Sequence, residues 1–248
     1  MTISDAQFLS AYDASQFEHP SVAVDILIFT VDIPGRLELL MIRRDIPPFC
    51  NAWALPGGFI GMKESLDEAA RRKLKEETGL DGVEIEQLYT FGAVDRDPRT
   101  RVISVAYFAL LPKASLHVFP GPGADRTAWV GISLPENGTA DQLQVDSGLE
   151  LAFDHRQIIT TAVNRLRGKL SYTDIAFGLL QNKNRFAIYE LQKIYEAILD
   201  QKLDTPNFRR MFLSSYVSRG LAEATGEDCL EYSKRASKYY RLLPAPQK

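Results

Sequence analysis

Acidic and basic side chains share one face of a predicted helix between residues 65 and 78. Positions 73, 76 and 77 are three or four residues apart, a spacing that brings side chains together on a helix surface. Carboxylates in that arrangement can bind Mg²⁺, and divalent cations neutralise phosphate oxygens and activate water when a diphosphate is hydrolysed. Here Glu76 and Glu77 supply carboxylates, whereas Lys73 supplies an ammonium that repels a cation. The pattern leaves Glu76 and Glu77 as ligands of a weakly bound Mg²⁺ and assigns no catalytic residue. Efficient hydrolysis is not expected unless another carboxylate compensates.

A second group of polar side chains lies on a predicted helix over residues 206–215, after a helix over 187–199 and a short turn. Arginine reads guanine and asparagine reads adenine in the major groove, so these two helices are predicted to form a DNA-binding helix-turn-helix. The candidate base-reading residues are Asn207, Arg209, Arg210 and Ser214. The candidate phosphate contacts in a following hairpin, or wing, are Lys234, Arg235 and Lys238. Exposed arginine pairs also occur on ordinary solvated faces, and that alternative stays open.

The elements that position these groups fall into two sets. Residues 20–135 predict one mixed α/β unit, with strands at 21–31, 37–42, 83–93 and 101–111 around the helix over 65–78. A predominantly helical pattern begins near residue 153, where Asp154 is a candidate cap for a helix over 155–166. Thr205 and Pro206 form a helix start signal, and the segments 218–225 and 237–242 can pair as the wing. We therefore expect a domain over 1–150 and another over 151–248.

Composition is that of an ordinary globular protein, but the charge is unevenly distributed. The net charge is −3, yet residues 1–150 hold 13 basic and 22 acidic side chains, whereas residues 151–248 hold 16 and 10. This balance of −9 against +6 indicates that the second half meets an anionic surface. Cys50 and Cys229 show no metal-ligand spacing. No signal peptide or membrane-length apolar run is evident, so we expect a cytoplasmic protein without membrane partners.

The segment from Gly58 to Leu80 resembles the Nudix box at every defined position except one. The pattern is Gly, five residues, Glu, seven residues, then Arg-Glu, an apolar residue, any residue, Glu-Glu, any residue, Gly and an apolar residue. Lys73 stands where the family has a metal-binding Glu, while Glu76 and Glu77 are retained. A match of this length is highly specific.

The whole chain resembles the NrtR family, bacterial Nudix-related transcriptional regulators of NAD metabolism. The segments that carry the resemblance are 12–15, 20–25, 53–59, 96–99, 105–107, 153–155, 165–169 and 207–210. The resemblance implies a Nudix-fold α/β (α+β) domain joined to a C-terminal winged helix-turn-helix. It also implies a homodimeric repressor that binds palindromic operator DNA, senses ADP-ribose, requires no cofactor and controls NAD biosynthesis or salvage genes.

Several residues near the box are candidate effector ligands. Guanidinium groups pair bidentately with phosphates, which a diphosphate such as ADP-ribose requires. The candidates are Arg43, Arg44, Trp53, Gly58, Arg96, Asp97, Arg99 and Tyr107. Trp53, Phe59 and Tyr107 could stack on the adenine or fill the core, and for Phe59 we expect the core. For His155 we expect a role in helix capping.

The alternative to a repressor is a working ADP-ribose pyrophosphatase with an accessory helical domain. A third reading combines the two, with slow hydrolysis of the effector. Enzymatic activity is left open, and Lys73 argues against it.

Overall fold

The computed structural model describes residues 3–32, 35–79, 81–113, 118, 120, 123–232 and 237–244. The strands are β1 (Ser21–Asp32), β2 (Arg36–Arg44), β3 (Trp53–Ala54), β4 (Gly57–Phe59), β5 (Glu86–Phe91), β6 (Val102–Leu110), β7 (Ala124–Ser133), β8 (Gln144–Val145), β9 (Phe186–Ala187), β10 (Ala222–Cys229) and β11 (Ser237–Leu242). The helices are α1 (Asp5–Ala11), α2 (Leu66–Thr78), α3 (His155–Lys169), α4 (Ile188–Leu199) and α5 (Thr205–Phe212).

Strand β1 organises the first sheet, whose strand order is β5-β6-β1-β2-β7-β8. It runs parallel to β6 and antiparallel to β2, and it is buried along almost its whole length. Alternate side chains face opposite layers because successive residues of a strand point to opposite faces. Ile26 and Ile28 pack with Ala70 and Leu74 of α2. On the other face, Phe29 belongs to the large core cluster that includes α3.

Helix α2 is capped at both ends. The Ser65 hydroxyl accepts a hydrogen bond from the Glu68 backbone N–H, and Glu68 accepts one in return from the Ser65 N–H. At the other end, Gly79 adopts the left-handed conformation with φ of 71°, which glycine reaches without steric cost. These signals fix the register of the Nudix-box residues on the helix.

The C-terminal elements form a winged helix. Helices α4 and α5 are joined by a short turn, and β10 and β11 form a hairpin whose second strand pairs with β9. Phe212 of α5 packs edge-on against Phe186 and Tyr240 of this small sheet. Side chains of α3, α4, α5 and the first sheet belong to one continuous apolar cluster.

The structure corrects several element predictions. The cap of α5 is Asp204, whose carboxylate accepts from the Asn207 N–H at 2.9 Å, and not Thr205. The helix ends at Phe212, where a π-helical turn follows over Leu213–Val217, so it is shorter than the predicted span. Asp154 makes no side-chain capping bond to α3 because its carboxylate pairs with Arg96. Strand β7 was not predicted; its first residues are polar and only its second half is buried.

The helices found in the described ranges are all too short or too polar to cross a membrane.

Candidate functional site

The charged residues of the Nudix box form a compact network on α2. Arg72 donates two hydrogen bonds to Glu64, at 2.7 and 3.0 Å, and one to Glu76 at 3.1 Å. The Lys73 ammonium donates to the other oxygen of Glu76 at 2.8 Å. The Arg72 guanidinium lowers the pKa of Glu64 to about 2. Burial raises the pKa of Glu76, but the bonds from Lys73 and Arg72 outweigh it and lower that pKa overall. Both carboxylates are therefore ionised and matched by internal cations.

This donor set does not fit a divalent cation. Both oxygens of Glu76 accept from cationic side chains, and the ammonium of Lys73 occupies the position next to them. In the described part of the chain no three His, Cys, Asp or Glu side chains are grouped to hold a metal ion. Weak Mg²⁺ binding by Glu76 and Glu77 remains a prediction that this geometry does not favour.

A shallow cleft, partly open to solvent, lies beside the box. It is bounded by β1, β2, the β3–β4 turn, the loop before β6 and the start of α3. Five of the predicted ligand-binding residues line it: Arg44, Gly58, Arg96, Asp97 and Arg99. Residues that are far apart in sequence thus meet in one place.

Arg96 lies in the wall of this cleft and is almost completely buried. Its guanidinium donates to both oxygens of Asp154, at 2.6 and 2.9 Å, and to Asp25 at 3.4 Å. Asp25 also accepts a short hydrogen bond from the Ser104 hydroxyl. Burial acts to lower the pKa of Arg96, but the two carboxylates outweigh it, so the pKa is raised. Arg96 is therefore a charged structural anchor with its bonding capacity largely occupied.

Arg44 and Arg99 differ from Arg96 because they face the open cleft. Within the described ranges, the hydrogen bonds of Arg44 go to backbone carbonyls, from Nε to Pro48 at 2.9 Å and from Nη2 to Ile46 at 3.3 Å. Its pKa is lowered, first by burial and then by the nearby Arg99 guanidinium. Arg99 pairs with Asp97 at 2.7 Å, and its side chain keeps 44% of its surface exposed. An anion between Arg44 and Arg99 would relieve their mutual repulsion.

Aromatic rings flank these two arginines. Arg44 lies 5.0 Å from the centroid of the Phe153 ring, and Arg99 lies 5.8 Å from it and 5.6 Å from that of Phe59. Phe59 is 47% exposed and lines the cleft, so its prediction as a core residue was wrong. The pairing of rings and cations creates a site that suits a ligand with both a flat apolar part and an anionic part.

Three predicted ligands lie outside the lining of the cleft. Arg43 points to the β7 side of β2 and pairs with Asp125. Trp53 packs on the large core cluster. Tyr107 is buried, and its hydroxyl donates to Asp67 at 2.7 Å. Burial and that bond raise the pKa of the Tyr107 hydroxyl. For Trp53 and Tyr107 the geometry favours the alternative role in the core.

Sequence reasoning missed the contribution of the segment before α3. Phe153 and His155 both line the cleft. His155 is not a helix cap: it is buried, and its Nδ1 accepts from the Leu55 N–H at 3.0 Å. Nε2 lies 3.6 Å from Asp25. Burial lowers the pKa of His155, which keeps the ring neutral with its proton on Nε2. The sequence offers only the Phe-Asp-His run at 153–155 as a signal, and its spacing does not indicate which distant residues it contacts.

The candidate DNA-reading residues share an exposed face of α5 and the turn after it. Asn207, Arg209, Arg210 and Ser214 are all exposed, while Phe208 and Phe212 are buried on the opposite side. Neither arginine takes part in an ion pair with any residue that the structure describes. In the wing, Lys238 pairs with Asp228 at 3.1 Å. Lys234 and Arg235 lie outside the described residues.

Comparison with known families matches both parts of the chain. Residues 19–143 match the NUDIX domain, and residues 176–242 match the NrtR DNA-binding winged helix domain. The ADPR responsive transcriptional repressor NtrR of Acinetobacter baylyi is 35% identical over 241 residues, which cover 96% of this chain and 88% of that protein.

Two solved structures extend this comparison. Shewanella oneidensis NrtR complexed with a 27mer DNA has a TM-score of 0.67 and 30% identity, covering 90% of this chain and 93% of that one. The NUDIX domain of the same protein, complexed with ADP ribose, has a TM-score of 0.55 and 33% identity and covers 66% of this chain and 99% of that one.

The buried position of Arg96 predicts a large effect on stability. Arg96→Ala should lower the free energy of unfolding by about 3–5 kcal/mol, because it leaves the buried Asp25 and the partly buried Asp154 without their cation. Arg241→Ala removes an ion pair with Glu223 that is exposed on both sides, and it should cost about 1 kcal/mol or less. Urea unfolding of the two variants beside the wild type measures both values. Equal stabilities of the two variants would contradict the role of Arg96 as an anchor.

Proposed function

This chain belongs to the NrtR family, and we propose that it acts as an ADP-ribose-responsive transcriptional repressor. One observation carries the proposal: a single chain joins a cleft lined by arginines and aromatic rings to a winged helix with an exposed face of Asn207, Arg209 and Arg210. The fold agrees with that of the Shewanella oneidensis protein seen with DNA. Similarity to the Acinetobacter baylyi repressor over 96% of the chain supports both parts.

The effector in this proposal is ADP-ribose, bound in the cleft. The diphosphate would lie between Arg44 and Arg99, whose guanidinium groups repel each other without an anion. The adenine or a ribose would contact Phe59 or Phe153. No cofactor is needed for this binding. The support from outside the chain is the related NUDIX domain that was seen with ADP ribose.

Operator DNA is the second partner. Asn207, Arg209, Arg210 and Ser214 would read base edges in the major groove, and the wing residues Lys234, Arg235 and Lys238 would contact phosphates. The protein would bind as a homodimer to a palindromic site, because each subunit presents one α5 helix and two half-sites need two. We place it in the bacterial cytoplasm and assign it to genes of NAD biosynthesis or salvage.

Helix α3 is the route by which we expect the cleft to influence the winged helix. Its first residues border the cleft, where Asp154 holds Arg96. Near its end, Arg167 donates to the carbonyls of Leu134, Pro135 and Ile198. Since Ile198 belongs to α4, a shift of α3 would move the helix-turn-helix. The domain boundary proposed at residue 150 thus falls just before an element that contacts both domains.

The exposed face of α5 generates a test of DNA reading. Arg209→Ala or Arg210→Ala should weaken operator binding by about 1–3 kcal/mol and relax base preference where that arginine reads guanine. Lys238→Ala should instead weaken binding to all sequences and reduce the salt dependence by about one counterion. Fluorescence anisotropy with operator and scrambled duplexes at several salt concentrations separates the two effects. Unchanged affinity in both arginine variants would show that α5 is not the reading element.

The coupling between the two ligands generates a second test. ADP-ribose can release DNA only if it binds the DNA-incompetent arrangement more tightly, and typical coupling free energies are about 1–3 kcal/mol. Linkage then requires operator DNA to weaken ADP-ribose binding by the same factor. Titrating ADP-ribose into the free protein and into its operator complex measures this factor directly. Identical ADP-ribose affinities in the two titrations would exclude the proposed response.

The second candidate function is hydrolysis of ADP-ribose, and the retained Glu64, Arg72, Glu76 and Glu77 of the Nudix box favour it. The contacts of Glu76 with Arg72 and Lys73 oppose it, because this carboxylate is engaged by internal cations. We therefore propose the repressor function as the principal one.

A turnover assay distinguishes the candidates. With Mg²⁺ present, the protein should hydrolyse ADP-ribose roughly two to four decades more slowly than an enzyme with a complete Nudix box, since general acid–base catalysis is worth about that much. Release of AMP is followed by chromatography, with such an enzyme assayed in parallel. Turnover that matches the complete enzyme would favour the pyrophosphatase instead.

A further inference from the structure

The end of the Lys73 side chain lies against Gly58, a residue that lines the cleft. The lysine side chain is only 16% exposed. Its Cε lies 3.1 Å, and its Nζ 3.6 Å, from the point that a Cβ on Gly58 would occupy. A side chain at position 58 would crowd the end of Lys73, so glycine at this position leaves room for the ammonium next to a residue of the cleft wall.

The ammonium also has bonding capacity to spare. A lysine ammonium carries three donors, and the described contacts of Lys73 use one of them, to Glu76 at 2.8 Å. Glu76 does not depend on Lys73 alone, because Arg72 donates to its other oxygen at 3.1 Å. Lys73 can therefore bond to an incoming oxygen without leaving a carboxylate unpaired.

The charge of the local network makes an external cation unnecessary. Arg72 and Lys73 balance Glu64 and Glu76, and these four residues are linked by direct bonds. With a glutamate at position 73 the same network would carry excess negative charge, and a diphosphate could approach only with a divalent cation to screen it. The lysine removes that requirement and adds a donor.

We propose that Lys73 is a binding residue for the diphosphate of the effector and makes that binding independent of a metal ion. The ammonium donates to a phosphate oxygen beside Gly58, while Arg44 and Arg99, which line the same cleft, bind the other phosphate oxygens. The ligand class is a nucleoside diphosphate sugar, so this inference rests on the proposed function. Lys73 thereby contributes to ligand binding at the position where the Nudix box has a metal-binding glutamate.

Calorimetric titration of ADP-ribose into the full-length protein tests this assignment, with each protein measured once in EDTA and once in Mg²⁺. The wild type should give the same Kd in both within about twofold. Lys73→Met should bind at least about tenfold more weakly in both, as expected for loss of a hydrogen bond to a charged group. Lys73→Glu should lose binding in EDTA and regain affinity in Mg²⁺.

Lys75→Glu is the matched control, because it makes the same charge change two residues away on the exposed face of α2, where Lys75 pairs with Asp81. It should leave the Kd unchanged in both buffers. Thermal melts establish that each variant is folded, and Lys73→Met keeps the test decisive if Lys73→Glu does not fold.

Two results would overturn the assignment while leaving the repressor function intact: wild-type binding that needs Mg²⁺, or a Lys73→Met variant that binds as tightly as the wild type. If the wild type binds no ADP-ribose in either buffer, the proposed effector itself is wrong.

Discussion

The Arg96 guanidinium is a positive charge buried in the wall of the cleft, and the surrounding structure compensates for it. Asp154 accepts two of its hydrogen bonds and Asp25 a third, while the Ser104 hydroxyl donates to Asp25. Desolvating such charges costs several kcal/mol for each ion unless the geometry is good and the remaining lone pairs are satisfied. Because Asp25 belongs to β1 and Asp154 immediately precedes α3, this network fixes the start of α3 against the central strand.

The network around Arg96 holds the start of helix α3 in place. A helix that starts at a ligand cleft and ends against a second domain can transmit a displacement only if both of its ends are held. Asp154 holds the first end, and Lys169 pairs with Glu86 of β5 at the other, at 2.9 Å. Arg167 connects the same end to α4 through the carbonyl of Ile198. The continuous apolar cluster packs α3 closely against both parts of the chain, which is the condition that the proposed signal from the cleft to α4 requires.

Local signals made much of this architecture predictable, and long-range pairing made the rest unpredictable. The apolar periodicity predicted α2 close to its observed bounds, where Ser65 and Gly79 cap it, and the comparisons confirm the predicted NUDIX and winged-helix parts. The cleft is different because it depends on pairs such as Arg96 with Asp154, which are 58 residues apart. The sequence presents Asp154 as an ordinary cap and His155 as its neighbour. Only the fold shows that Asp154 pairs with Arg96 and that His155 lines the cleft.

The state of pairing separates arginines that hold the protein together from those that await a ligand. Arg72 and Arg96 each pair with two carboxylates, so their positive charge is balanced inside the molecule. Among the described residues, the hydrogen bonds of Arg44 go to backbone carbonyls, and Arg209 and Arg210 form no ion pair. A guanidinium without a paired carboxylate binds an external phosphate without first breaking an ion pair. Arg44 in the cleft and Arg209 and Arg210 on α5 share this property, whereas Arg99 is paired with Asp97 and would divide its donors between that carboxylate and a ligand. Lys73 is intermediate between the paired and the unpaired cations. One of its three donors bonds to Glu76, and the other two have no hydrogen-bond partner among the described residues.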